Sequence, residues 1–351
     1  MTPAENVELA SYCTLGVGGA ARFFIEASDE ETVLAALDWA RRNSHPLRVL
    51  GGGSNLVVAD EGVAGLVVRI ALRGIVTREV EGMIELTAAA GEPWDDLVRT
   101  TVESGWAGLE CLSGIPGLVG ATPIQNVGAY GQEVSDTVTA VRALDTVSGR
   151  IVPLARSECG FAYRDSLLKR REPGRYIVLA VTYRLIPGGR PAVRYPDVDR
   201  WLAAREIGSP SLADVRDGVL SIRRSKSMVL DPGDPNRRSC GSFFLNPIVT
   251  PEEANTVVAR AQDPTMPRWR ERDGRVKLSA AWLIEHTGFR RGQTDGAVGL
   301  STRHVLAIVA HDGARAGDVV AFSRRIQTAV EQRFAVRLEP EPARWGGSDD
   351  R

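Results

Sequence analysis

Apolar positions along this chain recur with two periods, and the switch between them marks out its elements. Arg22-Phe23-Phe24-Ile25-Glu26 reads as a short strand. Val33, Leu34, Leu37 and Ala40 then recur at helical spacing behind a Ser28…Glu31 pair of capping-box type. Strands over 46–50 and 65–70 follow, with Gly51-Gly52-Gly53-Ser54-Asn55 after the first of them. The opening is thus a small β-α-β unit with a glycine loop at the carboxyl end of a strand. A second β-rich block begins at 84–88. It carries a helix opened by Pro93 and stopped at Gly105, with Trp94, Leu97, Val98 and Val102 inward. Strands are expected over 138–144, 151–154 and 176–185, and Pro187-Gly188-Gly189-Arg190-Pro191 reads as a loop or hinge. A third block follows Asp231-Pro232-Gly233-Asp234-Pro235. It holds a helix over 278–286, a strand over 305–310 and a long helix over 318–334. Val319, Phe322, Ile326, Val330 and Phe334 give that helix its buried stripe.

Composition narrows the class. The chain has 351 residues, enough for two or three domains and a core without metal or disulfide staples. Apolar content of 43% and charged content of 25% are those of a soluble globular protein. A net charge of −1 offers no global basic field for nucleic acid or an anionic membrane, so neither partner is expected. The four cysteines are scattered without a C-x-x-C pair, which favours a reduced compartment over a zinc site or disulfide framework. No H-E-x-x-H occurs among the four histidines, and no metal is expected. The N-terminus lacks a basic start and apolar core, and no apolar run approaches the roughly 20 residues that span a bilayer. A cytoplasmic protein without membrane insertion is expected.

Candidate chemistry lies in a few stretches. Gly51–Asn55 is either a phosphate-wrapping loop or an ordinary tight turn; it is not a Walker A loop, for no Gly-Lys-Ser/Thr follows. Gly16-Val17-Gly18-Gly19-Ala20-Ala21 fits G-x-G-x-x-A, but a strand follows it, so a nicotinamide site is discarded. The stretch over 114–131 packs glycines and prolines among apolar residues. It suits the close approach of backbone to a flat ligand better than a solvent loop does, because Ile115, Leu118, Val119 and Ile124 would be needlessly apolar in water. Cys240-Gly241-Ser242-Phe243-Phe244-Leu245-Asn246-Pro247 offers a hydroxyl with no histidine beside it. With Tyr163-Arg164-Asp165-Ser166 and Glu339-Pro340-Glu341 it supplies a proton donor, a fixed cation and a carboxylate. That set suits protonation of a carbanion better than acyl transfer.

These stretches, with Lys277-Leu278-x-Ala280-x-Trp282-Leu283-Ile284, occur in an order that resembles the UDP-N-acetylenolpyruvoylglucosamine reductase (MurB) family over nearly the whole chain. The resemblance implies an α+β fold class. It comprises an FAD-binding fold of the vanillyl-alcohol oxidase (PCMH) type in two subdomains, 1–72 with 335–351 and 73–227, plus a C-terminal α+β substrate-binding domain, 228–334. It implies noncovalent FAD reduced by NADPH, then hydride transfer from flavin N5 to C3 of the enolpyruvyl ether of UDP-N-acetylglucosamine. Protonation at C2 gives UDP-N-acetylmuramate, a peptidoglycan precursor of the bacterial cytoplasm. A monomer is the family expectation. By motif position Ser242 is the proton donor, while Arg164 and Glu341 polarise the substrate carboxylate. Spacing alone does not choose between Glu339 and Glu341; the family motif chooses the second. The cofactor positions are Gly51, Gly52, Gly53, Ser54, Asn55, Leu56, Gly114, Ile115, Pro116, Gly117, Val119, Gly120, Ala121, Thr122, Ile124, Asn126, Gly128, Ala129 and Tyr130. The substrate positions are Tyr195, Arg223, Lys226, Asn246 and His304, with Tyr195 on a loop over the uridine diphosphate. Two other readings are an FAD oxidase of the same fold, which lacks the Ser242, Arg164 and Glu341 set, and a nucleotide-binding module without chemistry.

Overall fold

The computed structural model describes residues 1–271 and 273–347. Two compact units emerge, each woven from several segments. The first comprises Met1–Val7, Ala21–Gly53 and Ala64–Leu230; the second comprises Glu8–Ala20, Ser54–Val63 and the chain from Asp231 onward. The expected segment 335–351 includes 348–351, which lie outside the described residues.

In the first unit, one sheet is ordered Ala4–Glu8, Ala20–Ala27, Val63–Ile70, Leu47–Leu50, the last two strands parallel with Leu47 opposite Leu66. Helix α1, Glu30–Arg42, buries Val33, Ala36, Leu37 and Ala40. Its cap is Asp29, whose carboxylate accepts the Thr32 N–H at 2.7 Å, and not the expected Ser28–Glu31 box. Starting one residue later puts both Glu30 and Glu31 in the first turn, at the positive end of the helix dipole. A second sheet runs Arg150–Ala155, Val138–Asp145, Tyr176–Pro187, Met83–Ala89, Ile75–Val80, antiparallel throughout. Helix α2, Trp94–Glu103, is capped by Pro93 and buries Trp94, Leu97, Val98 and Val102 as expected. The glycine-rich stretch is pinned between these elements. The Val119 and Gly120 N–H groups donate to the Glu92 and Ala90 carbonyls. A side chain at Gly120 would meet Ala90 Cβ at 2.6 Å, so only glycine allows that approach. Two helices that the sequence reading passed over complete the unit: α3, Pro196–Ala203, and α4, Leu212–Ser225. Tyr195 is the N-cap of α3 and Pro196 its first residue, so the expected tyrosine loop continues directly into a helix.

The second unit holds α5, Pro251–Ala261, α6, Ala280–Glu285, and α7, Ala316–Phe334. The predicted stripe of α7 is buried, and the Asp60 carboxylate accepts the Ala316 and Gly317 N–H groups at its start, both at 2.9 Å. Two expected boundaries shift. Leu278 ends the strand Val276–Leu278, and Ser279 caps α6 by accepting the Trp282 N–H at 3.2 Å. The strand expected over 305–310 is only Ile308–Ala310, because His304 Nδ1 accepts the Leu306 N–H and closes a turn there. The strand Ala343–Trp345 pairs in parallel with Leu56–Val58, Ala343 opposite Leu56. Among the described residues no helix is long and apolar enough to cross a membrane.

Candidate active site

Within the first unit several of the predicted residues lie around Arg164. Ala162 and Asp165 exchange both backbone hydrogen bonds across a tight turn, at 3.0 and 3.1 Å. Arg164 occupies its third position with φ +52°, a left-handed conformation costly for a side-chain-bearing residue and frequent where function demands a fixed direction. Its Nη2 donates to the Gly128 carbonyl at 2.6 Å, and its guanidinium carbon lies 5.6 Å from the Tyr163 ring centre. Gly128, Ala129 and Tyr130 thus sit beside Arg164, as the sequence could not show.

Tyr130, itself at φ +48°, packs edge-on against Tyr195 with ring centres 5.3 Å apart. Burial pushes its phenol up to about 12, against the opposing pull of Arg223. Arg223, on α4, is 9% exposed and donates from Nη2 to the Met228 carbonyl at 2.6 Å, while its buried Nε has no hydrogen-bond partner among the described residues. Burial draws its guanidinium down, Tyr130 and Asp95 oppose that, and the Arg164 charge adds to it. Lys226, the C-cap of α4, pairs with Asp197 of α3 at 3.2 Å. Sequence-predicted residues are thus linked in this unit: Tyr130 to Tyr195 by ring contact, Arg223 to Tyr130 and Arg164 by charge, and Lys226 to Asp197 by an ion pair. Asp95 joins them unpredicted. It accepts the Gly114 N–H at 2.6 Å and both arms of Arg216 at 2.7 and 2.9 Å. Burial alone would raise its carboxyl, but the Arg216 fork, the Gly114 N–H and the Arg223 charge hold it below the ordinary carboxylate range. No spacing signal marks Asp95 or Arg216.

The glycine walls differ in their fit. A Cβ on Gly52 would stand 2.9 Å from Gly117 Cα, so these two backbones touch. On Gly51 it would find nothing nearer than Ala121 Cβ at 4.0 Å. Gly53 and Gly114 have φ +61° and +72°. Ile115 packs half-buried on the core, Val119 is fully buried, and Pro116 precedes Gly117 in the turn that accepts the Trp94 N–H. Thr122 shares a hydrogen bond with the Tyr183 hydroxyl at 2.9 Å, and the Ile124 carbonyl accepts the Ser166 hydroxyl at 2.6 Å. The Asn126 side chain is spent inside the fold, donating to Glu133 and the Ala162 carbonyl and accepting the Ser135 N–H.

Within the second unit the predicted serine and glutamate segments come together. The segment after Ser242 runs antiparallel to the one bearing Glu341. The Glu341 N–H donates to the Phe243 carbonyl and the Leu245 N–H to the Glu339 carbonyl, both at 2.9 Å, around a Phe244–Pro340 bridge. Ser242 and Glu341 are both half-buried. Asn55 Nδ2 donates to the Glu341 carbonyl at 3.3 Å, and the Asn55 carbonyl accepts the Ala343 N–H at 3.1 Å. The Phe243 N–H donates to the Leu306 carbonyl at 2.7 Å, which brings His304 near by two residues. Asn246 braces the start of α6, its Oδ1 accepting the Ala280 N–H at 3.0 Å. Ser54 and Leu56 flank Asn55, Leu56 opening the strand Leu56–Val58. Arg164 belongs to the first unit, whereas Ser242 and Glu341 belong to the second.

Known proteins resemble this chain over most of its length. The FAD binding domain family matches residues 20–155, and the UDP-N-acetylenolpyruvoylglucosamine reductase C-terminal domain family matches residues 234–345. The chain is 47% identical to a UDP-N-acetylenolpyruvoylglucosamine reductase of Thermobifida fusca (strain YX), covering 98% of each. The chain belongs to the UDP-N-acetylenolpyruvoylglucosamine reductase (MurB) family. A reductase of the same name from Saccharopolyspora erythraea is 46% identical, over 97% of this chain and 95% of that one. The crystal structure of the Thermus caldophilus reductase superposes with a TM-score of 0.67 at 28% identity, covering 99% of this chain and all of that one. The protein is therefore an FAD-dependent oxidoreductase of α+β fold, with an FAD-binding domain and a family-specific C-terminal domain. Its residues fit the cofactor: a glycine run follows a strand end, and the backbone at Gly51 is open where Gly52 and Gly120 are hemmed in by their own chain.

Proposed function

We propose that this protein reduces the enolpyruvyl ether of UDP-N-acetylglucosamine to UDP-N-acetylmuramate with NADPH, in the bacterial cytoplasm, as a step of peptidoglycan precursor synthesis. The observation that carries the reading is the 47% identity across 98% of the chain to a reductase bearing that substrate's name. Bound FAD, held by positions 51–56 and 114–130, supplies the hydride for C3. The three-part division into 1–72 with 335–351, 73–227 and 228–334 belongs to the same proposal.

The chain's own residues divide the remaining work. Arg164 presents a planar fork to the substrate carboxylate, with its direction fixed by the Gly128 carbonyl. Negative charge grows on that carboxylate as C3 accepts hydride, and a cation already in place stabilises it without reorganising. Ser242 delivers a proton to C2. Glu341, tied by its backbone to Phe243 and Asn55, orients that carboxyl end and, when protonated, donates a hydrogen bond to it. Tyr195, Arg223 and Lys226 bind the sugar nucleotide, a role supported by the buried Arg223 Nε, which lacks a partner among the described residues and which an anionic ligand satisfies. Asn246 and His304 shape the second unit's part of the substrate site.

Stopped-flow absorbance tests the reading. The purified protein should be yellow, bleach with NADPH and re-oxidise faster with the enolpyruvyl sugar nucleotide than with air. An alcohol substrate that reduces the flavin would favour an oxidase instead. Ser242→Ala should keep a near-normal NADPH step and slow re-oxidation by at least ~10²-fold, the loss expected for a positioned proton donor. A normal re-oxidation rate in Ser242→Ala would make the serine structural.

A further inference from the structure

Glu110 lies at the start of a single 3-10 turn, Glu110–Leu112, and is 1% exposed. No cation pairs with it among the described residues. Instead three donors converge on its carboxylate, each at 2.8 Å: the Gly108 N–H, Gln132 Nε2 and the Ala192 N–H. The other end of the Gln132 amide accepts the Cys111 N–H at 2.8 Å, and the Cys111 thiol donates to the Ala192 carbonyl at 3.1 Å. Burying a carboxylate without a counter-ion is expensive, and an apolar residue of the same size would serve packing better. An acceptor-only group with this many bonds earns its place by the geometry it imposes.

That geometry concerns two segments far apart in sequence. Gln132 follows Tyr130 by two residues, and Ala192 precedes Tyr195 by three. Between these anchors the segments touch: Gly131, at φ +84°, would place a Cβ 2.9 Å from Arg194 Cβ. The result is the edge-on contact of Tyr130 and Tyr195.

We propose that Glu110 is the positioning residue for the Tyr130–Tyr195 pair, the buried carboxylate that docks both tyrosine-bearing segments on one frame and so sets affinity for the sugar nucleotide. This rests on the reading of Tyr195 as a substrate contact. Glu110→Gln presents an amide N–H to at least one of the three donors and leaves that donor unsatisfied. It acts through Tyr195, so its effect should vanish when Tyr195 is gone.

The test is a double-mutant cycle on the holoenzyme with Tyr195→Ala, reading the concentration dependence of re-oxidation by the enolpyruvyl sugar nucleotide. Glu110→Gln, measured on flavin-saturated enzyme, should weaken apparent substrate binding about tenfold (~1.4 kcal/mol). In the Tyr195→Ala background the same change should cost less than about twofold. Full additivity, with Tyr195→Ala itself weakening binding, overturns the positioning role alone. No effect of Tyr195→Ala overturns the substrate reading of Tyr195, and this inference with it. If Glu110→Gln yields no holoenzyme, Glu110→Asp, which keeps the charge but shortens the reach, carries the same cycle. Failure of both to fold would make Glu110 a stability residue and end the proposal.

Discussion

Replacing Gly51 with alanine separates the cofactor wall from the fold. The backbone of Gly51 lies outside the left-handed region, and a Cβ there has ordinary clearance, with Ala121 Cβ at 4.0 Å as its nearest neighbour. The apoprotein should therefore keep its stability, or gain about 0.4–1 kcal/mol from the less flexible unfolded chain. A pyrophosphate resting on this loop meets the new methyl at the place where it must reach a backbone N–H. Each hydrogen bond from a backbone N–H to a charged acceptor is worth about 1.5–3 kcal/mol, so losing one weakens FAD roughly 10- to 150-fold. The assay is fluorescence titration of FAD into apoprotein, beside thermal melting of the same apoprotein. Gly52→Ala is the control: its Cβ would lie 2.9 Å from Gly117 Cα, so that variant should lose apoprotein stability as well as flavin. If Gly51→Ala binds FAD within about threefold of the parent, the loop is not the phosphate site. If its apoprotein melts as early as that of Gly52→Ala, the separation of cofactor from fold is wrong.

Arg164→Lys keeps the charge but loses the planar fork that Gly128 aligns, so it should not restore the oxidative half-reaction to Arg164→Ala. Glu341→Gln should lose less than Glu341→Ala if the carboxyl acts by orientation, and equally if it moves a proton; a defect confined to NADPH reduction would remove Glu341 from the substrate role. The Asp145 carboxyl is held down at about 2 by hydrogen bonds from Arg175 first and the Val147 N–H next. Its stabilisation is complete above the unfolded value of about 3.9 and fades as pH falls toward 2. Asp145→Asn should lower the melting temperature at pH ~6 and leave it almost unchanged at pH ~2, and equal losses at both would refute that assignment.

The strands and amphipathic helices with strong periods were legible in the chain, and for a physical reason. The α7 stripe and the inward face of α2 each bury a continuous apolar row, so the pattern and the burial carry the same information. Helices α3, α4 and α5 were passed over although each buries apolar residues at helical spacing, Val198 and Leu202, Leu212, Val215 and Val219, and Ala254 and Val257, behind start signals at Pro196, Ser211…Asp214 and Thr250…Glu253. Boundaries moved where a side chain competed for the backbone, as His304 does at Leu306 and Ser279 does before α6. The motifs named the candidate chemical groups. They did not reveal that the backbone beside Ser242 is hydrogen-bonded to that of Glu341, or that Arg164 leans on the Gly128 carbonyl. Such adjacency comes from long-range pairing, which spacing does not encode.

The parallel pairing of Ala343–Trp345 with Leu56–Val58 bears on biosynthesis. A ribosome makes the strand Leu56–Val58 long before its partner Ala343–Trp345. At ordinary elongation rates the interval is on the order of tens of seconds. Throughout it Leu56, Val57 and Val58, all buried in the finished protein, have no strand beside them. The stretch is short and ends at Asp60, whose carboxylate waits for the start of α7. A nascent chain stalled before Glu341 therefore holds the serine segment without its glutamate partner, and one stalled before Ala343 still leaves Leu56–Val58 unpaired.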